Sequence, residues 1–237
     1  MRAADVLRLV SGALQDLEPG LESRWAWTGG DDDSIGLLDF MNDAVQAVAL
    51  QRPDVCAVTE SILLVPGMRQ SLPRRRVNGS SRDARFLIEL IRNMGPDGEH
   101  PGPAISSVSP GLLLAWASAT HASPVIENFA YDRVSNRDVY YVYPSVPERP
   151  EVWVEATYSA APESVVSPEQ DFPLPDEYAE AVKHHMLASV LGGDNESGNA
   201  GRAAYHMQLY ASAMGIKLRV DAGWPRARSN AVVGDDA

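Results

Sequence analysis

The sequence predicts an α+β fold, a helical bundle built from N- and C-terminal helices with an inserted antiparallel β-rich domain. Three observations carry this expectation. Apolar residues recur at three- and four-residue steps at both ends of the chain, the period changes to two in the middle, and Pro or Gly marks the changes.

The first helical period covers Ala3 to Leu17, with Val6, Leu9, Val10, Leu14 and Leu17 on one face, and Pro19-Gly20 ends it. A loop holding Trp25, Trp27, Gly29 and Gly30 leads to Asp31-Asp32-Asp33-Ser34, an acidic start signal for a helix from Ile35 to Leu50. Leu37, Met41, Ala44 and Val48 form its stripe, widened by Leu38 and Val45. Pro53 stops it.

Strand periods follow. Ser61 to Val65 and Met68 to Leu72 flank Pro66-Gly67, a type II turn signature that predicts a hairpin. Phe86, Ile88 and Leu90 alternate with Leu87, Glu89 and Ile91. This reads as a half-buried strand closed by Asn93-Met94-Gly95, with a short helix as the alternative. Pro110 to Ser118 reads as a short helix. Asn128 to Tyr131 returns through Ser135-Asn136-Arg137 to Val139–Tyr143, where Tyr140 and Val142 oppose Val139, Tyr141 and Tyr143. In Val152 to Tyr158 the set Val152, Val154, Ala156 and Tyr158 opposes Glu155 and Thr157. The sum is a small antiparallel sheet or sandwich.

After Ala160-Ala161-Pro162 a polar linker rich in Ser, Pro and Glu runs to Pro175. Helical period resumes from Asp176 to Leu191, with Tyr178, Val182, His185 and Met186 on one side and Gly192-Gly193 as the stop. Asn199 caps an alanine-rich helix from Ala200 to Met214, a composition suited to close helix packing, and Gly215 is placed as its left-handed stop. The expected organisation is helical over residues 1–55, β-rich over 56–165, helical again over 166–215, and an extended arm over 216–237.

At 237 residues the chain can bury a sizeable core in one large or two smaller domains. Its net charge of −12 excludes general nucleic-acid binding, because the surface field opposes phosphates. The basic run Arg74-Arg75-Arg76 reads as a solvated loop tip rather than a docking patch. Cys56 is the single cysteine, so an internal disulfide is impossible, and its apolar neighbours point to a buried, inert thiol. Asp5 and Arg8 interrupt the first apolar run, and no run approaches the ~20 residues of a membrane span. The expected setting is a reducing cytoplasm.

Catalytic templates fail on residue type or spacing. The chain has no Gly-x-Ser-x-Gly elbow, no phosphate loop and no paired cysteines. Asp31-Asp32-Asp33 suits helix capping better than calcium. Glu180 and His184 form an i,i+4 pair beside His185 without a recognisable third metal ligand. No catalytic residue, cofactor or metal is expected. Trp25 and Trp27 read as packed under their loop, with stacking on sugars or bases as the alternative. Trp224 reads as a partner anchor, since it lies in a tail with Pro225, Arg226 and Arg228 and no core is left to bury it.

Several segments in order carry a family likeness: Leu37–Pro53, Thr59–Gln70, Arg92–Gly98, Val139–Pro147, Tyr158–Pro162 and Gly198–Ala204. Across roughly residues 1 to 221 the chain resembles the head-to-tail adaptor proteins of tailed bacteriophages, and is similar to the tail tubular or gatekeeper-type connectors of short-tailed phages. The resemblance implies a structural virion protein and no enzyme. It implies a homo-oligomer ring, usually of twelve copies, at the head-tail junction beneath the portal protein, assembled in the host cytoplasm. The helical domain and the C-terminal segment would dock on the portal, and the β domain would face a tail or nozzle protein. DNA would pass through without specific binding, helped by an acidic lumen, and no membrane is involved.

The segment Leu72 to Arg85 is longer and more basic than the family pattern. The residues that would meet the portal are Lys217, Arg219, Trp224, Pro225, Arg226 and Arg228, a basic and aromatic arm on an acidic chain. The alternative reading is a virion accessory protein that binds a carbohydrate or a tail partner through the β domain and the Trp25/Trp27 loop.

Overall fold

The computed structural model describes residues 1–14, 25–29, 35–75, 78–116, 121–193 and 199–223. In chain order these form α1 (Ala3–Ala13), α2 (Leu37–Gln51), β1 (Ala57–Leu63), β2 (Gly67–Ser71), β3 (Ala84–Asn93), β4 (Ser106–Ser107), α3 (Pro110–Trp116), β5 (Asn128–Tyr131), β6 (Val139–Val146), β7 (Trp153–Ala160), α4 (Ala179–Gly192) and α5 (Asn199–Gly223). Single 3-10 turns at Pro53–Cys56 and Asp176–Tyr178 precede β1 and α4. Helices and strands are therefore mixed, and the two sheets are largely antiparallel. Two compact units result, residues 1–48 with 164–237 and residues 49–163.

In the first unit the chain returning after β7 fixes the start of α1. Ala3 N–H donates to Gln170 O and Ala4 N–H to Pro168 O, while Asp5 reaches back to accept from the Arg2 N–H at 2.9 Å. So anchored, α1 buries Ala3, Val6, Leu7 and Val10, and Leu9 is left 53% exposed. The helical period of the sequence is present, but its inward face is rotated from the expected one. The expected continuation to Leu17 falls partly outside the described residues, since α1 ends at Ala13.

The start of α2 depends on a close approach. A Cβ at Gly36 would lie 2.6 Å from Gly29 N and 2.6 Å from Thr28 C, which only glycine avoids. The Gly36 N–H is held by Asp39 Oδ2 at 2.9 Å. Leu37, Leu38, Met41, Ala44, Val45 and Val48 are buried as the sequence pattern requires. The Asn42 amide then donates to Val165 O at 2.9 Å and accepts from Val165 N at 2.8 Å, tying α2 to the chain where it re-enters this unit.

The second unit is a sandwich. A three-stranded sheet, β1-β7-β3, faces a four-stranded sheet, β2-β6-β5-β4, in which only the short β4–β5 pairing is parallel. Ile62, Leu90, Val154 and Tyr158 from the first sheet share one apolar core with Phe129, Tyr140 and Val142 from the second. The β5–β6 hairpin and the alternation of β7 match the expected pattern: Val154, Ala156 and Tyr158 are buried, and Glu155 and Thr157 are not.

Two strand expectations need correction. The Pro66-Gly67 turn does not close a hairpin, because β1 pairs with β7 and β2 pairs with β6, in different sheets. Gly67 has the positive φ the turn needs, at 105°. The buried Gln70 side chain satisfies the corner instead of a ladder: Nε2 donates to Val65 O at 2.7 Å and Gly67 O at 3.0 Å, and Oε1 accepts from Val65 N at 2.9 Å. The chain can thus cross between sheets without orphaned backbone groups. The segment at Phe86 is a strand rather than a helix, but its pairing with β7 shifts register three times. Phe86 and Leu87 are consequently both buried, and Ile88 is exposed.

Asn93, at the end of β3, joins the two sheets. Its Nδ2 donates to Ile126 O at 2.8 Å and Pro103 O at 2.9 Å, and its Oδ1 accepts from Ile126 N at 2.8 Å. Asn93→Ala would leave the N–H and the carbonyl of buried Ile126 without these partners, while Pro103 O keeps the Asn93 backbone N–H, and is expected to cost about 2 to 3 kcal/mol. Urea unfolding should show a lower midpoint with an unchanged slope.

Candidate partner-binding surface

The C-terminal half of the first unit is a helical hairpin. Burial of Ala181, Val182, Met186, Leu187, Ala188, Val190 and Leu191 runs around much of α4, because α1 and α5 both pack against it. The last helix has one inward stripe, with Asn199, Tyr210 and Met214 buried and Ala203, His206, Leu209 and Ala213 half-buried. Its other side leaves Ala200, Ala204, Tyr205, Met207 and Ala211 exposed, Tyr205 by 58%. The alanines thus serve the hairpin less than the sequence suggested. Ala203 Cβ lies 3.9 Å from where a Gly192 Cβ would stand.

The expected stop at Gly215 is overturned. The helix continues through it to Gly223, giving 25 residues against 14 in α4. At about 1.5 Å per residue, α5 is roughly 37 Å long and α4 roughly 21 Å. Glycine in a helix interior costs only about 1 kcal/mol, which a long helix tolerates. Lys217 and Arg219 therefore stand on helical backbone rather than in an extended arm. Trp224, Pro225, Arg226 and Arg228 lie outside the described residues, as do Asp31-Asp32-Asp33.

The hairpin interface is rich in titratable side chains. Glu180 receives Lys183 Nζ at 2.6 Å and lies 3.0 Å from His184 Nε2, as the i,i+4 spacing anticipated. The lysine hydrogen bond holds the Glu180 carboxyl below its ordinary range. His206 Nδ1 lies 3.0 Å from His184 Nδ1, a contact that sequence reading missed. Its signal was present, since His206 falls on the same helical stripe as Asn199, Ala203 and Tyr210. Burial lowers the affinity of His184, His185 and His206 for protons. Among the described residues, no group of three or more His, Cys, Asp or Glu side chains is arranged to hold a metal ion.

Other candidates resolve into packing. Trp27 Nε1 donates to the buried Ser11 Oγ at 2.9 Å, and Trp25 meets Phe40 edge to face at 6.3 Å. Cys56 is buried, and burial pushes its thiol up. Two residues of the arginine run are used within their own unit: Arg75 N–H donates to Asp83 Oδ1 and its Nε to Ser81 O, both at 3.0 Å, while Arg74 lies 3.9 Å from Asp138; Arg76 lies outside the described residues.

Charge is divided unevenly. Residues 1–48 with 164–237 hold 9 basic and 19 acidic residues, a net −10, while residues 49–163 hold 11 arginines and 13 acids, a net −2. The β unit has no lysine. Among the described residues, Arg133 stacks over Phe86 at 4.6 Å and Arg92 pairs with Glu155 at 2.7 Å.

The chain thus consists of a helical unit with a long terminal helix and, inserted in its sequence, a β-sandwich unit. The family model described as SU10 adaptor protein matches residues 1–233, and the chain belongs to that family. It is therefore a phage adaptor, a structural protein of the virion. No curated protein matches the chain. Among the described residues no helix is long and apolar enough to cross a membrane.

Tyr210 tests the hairpin's chemistry. Its hydroxyl is buried without a hydrogen-bond partner. Tyr210→Phe should leave the melting temperature unchanged or raise it, by up to about 1 kcal/mol of stability, because the ring stays and an unsatisfied group goes.

Proposed function

We propose that this adaptor forms a homo-oligomeric ring, of twelve copies as its relatives are expected to, between the portal protein and a tail or nozzle protein, and acts as a structural rather than catalytic part. In this reading the helices of the two chain ends form one bundle that meets the portal, and the β-rich insert faces the tail. DNA passes through the ring without specific binding. The family match over nearly the whole chain carries the reading.

Three further observations support it. The exposed apolar side of α5 is the kind of surface that assembly covers. The acidic balance resides almost wholly in the helical unit, so that unit supplies a wall repelling phosphates wherever it meets the channel. The continuation of α5 to Gly223 gives Lys217 and Arg219 a helical base from which Trp224, Pro225, Arg226 and Arg228 can reach a partner. Arginine and tryptophan anchors commonly dominate interface energetics. Trp25 and Trp27 make contacts within the helical unit, which favours this reading over carbohydrate stacking at that loop.

Truncation after Gly223 keeps α5 whole and removes Trp224, Arg226 and Arg228. Co-sedimentation of this chain with portal rings should fall by tenfold or more relative to the full chain, a loss of at least about 1.4 kcal/mol. Equal co-sedimentation of both chains would end the assignment of the arm to the portal. A basic channel wall in an assembled ring would end the electrostatic part.

A further inference from the structure

The histidine contact of the α4–α5 hairpin has a definite proton arithmetic. The two imidazole planes are 27° apart and the facing Nδ1 atoms are 3.0 Å apart, so nearly coplanar rings meet nitrogen to nitrogen. The Glu180 carboxylate can only accept, and it lies 3.0 Å from His184 Nε2, which makes that nitrogen the N–H of neutral His184. His184 Nδ1 is then bare, and His206 Nδ1–H must donate to it. One added proton is accommodated on His206 Nε2, leaving the N–H···N contact intact. A second proton, on His184 Nδ1, sets two N–H groups head to head and turns the contact repulsive. A metal ion does not fit between the two nitrogens, since two bonds of about 2.0–2.1 Å exceed the gap when the lone pairs oppose.

Burial, Lys183 and Arg202 resist that second charge, against the pull of Glu180 on His184. From α4 the pair is faced by Lys183 and Glu180, and these two are already bonded to each other at 2.6 Å. From α5 it is faced by Arg202 and by the Tyr205 ring, 5.6 Å from His206. The end of α1 adds a carbonyl, Ala13 O, which accepts from Arg202 Nη2 at 3.4 Å. The neighbouring polar groups do not compensate, because His185 Nδ1 and Tyr210 Oη are buried in the hairpin without partners.

We propose that the His184–His206 contact is a proton-gated latch between α4 and α5, closed while the neutral pair has taken up at most one added proton and opened by the second. The latch stands apart from the adaptor reading and does not rest on it. Burial lowers the proton affinity of both rings in the folded chain, so below the ordinary histidine pKa of about 6.5 the unfolded chain binds more protons. The latch's contribution is therefore fully present above about pH 6.5, is lost as pH falls below it, and levels off once the folded pair is doubly protonated.

Hydrogen exchange of the amides of residues 200–214 in the full chain, corrected for intrinsic rates, tests the latch. Protection should fall by about tenfold or more between pH 7.5 and pH 5.0 in the wild type, and the fall should be largely absent in His206→Gln. Equal protection at both pH values, or an undiminished fall in His206→Gln, would overturn the proposal. Long-range proton–nitrogen spectra of the wild type at pH 8 give a readout that needs no variant. His184 should carry its proton on Nε2 and His206 on Nδ1; two Nε2–H tautomers would overturn the latch.

Discussion

Two β-sheets that share an apolar core still need something to set their relative position, because burial of apolar surface is non-directional. Asn93 supplies direction. Its amide uses both donors and its acceptor on the backbone of Ile126 and Pro103, joining the end of β3 in one sheet to the approach of β5 in the other. The constraint matters because β3 itself is irregular, with three shifts of register against β7. A strand that bulges so often is weakly specified by its ladder, and a buried, fully satisfied polar group restores a single arrangement. Gln70 plays a similar part at the Pro66-Gly67 corner, where the chain passes from the first sheet to the second.

The helical unit is organised by burial on more than one side of α4. A helix apolar around much of its circumference must be covered by neighbours, and α1 and α5 provide that cover. The last helix is different. It buries a single stripe, outruns its partner, and leaves alanine, methionine and tyrosine exposed on the far side. Membership of an adaptor family makes physical sense of such a surplus, since surface that the protomer does not use is available to an assembly. The hairpin interface itself is polar for its position, with three histidines and a tyrosine where aliphatic residues would pack as well. Burial lowers the proton affinity of all three histidines there.

Elements with a strong period were legible from residues alone. The α2 stripe, the alternation of β7 and the β5–β6 hairpin all follow from apolar spacing and turn residues. Less legible was anything decided by a partner distant in sequence. The face that α1 buries is set by the chain at Pro168 and Gln170, so Leu9 points outward against its pattern. The corner at Gly67 resembled a hairpin because turn chemistry is local, whereas the choice of partner strand is not. In the candidate surface, the Glu180–His184 pair was readable because i,i+4 spacing is a property of one helix. His206 was missed because meeting His184 requires the register between two helices.

By itself the sequence determined the order of helical and strand-like segments, the acidic balance, the single buried thiol and the likeness to phage adaptors. These depend on composition, local period and motif order, which need no neighbour in space. Tertiary structure alone decided which strands share a sheet, that α5 passes through Gly215 to Gly223, and that the acidic excess collects in one unit. Each of these is a matter of long-range contact, where packing and backbone hydrogen bonding outweigh local preferences of about 1 kcal/mol per residue.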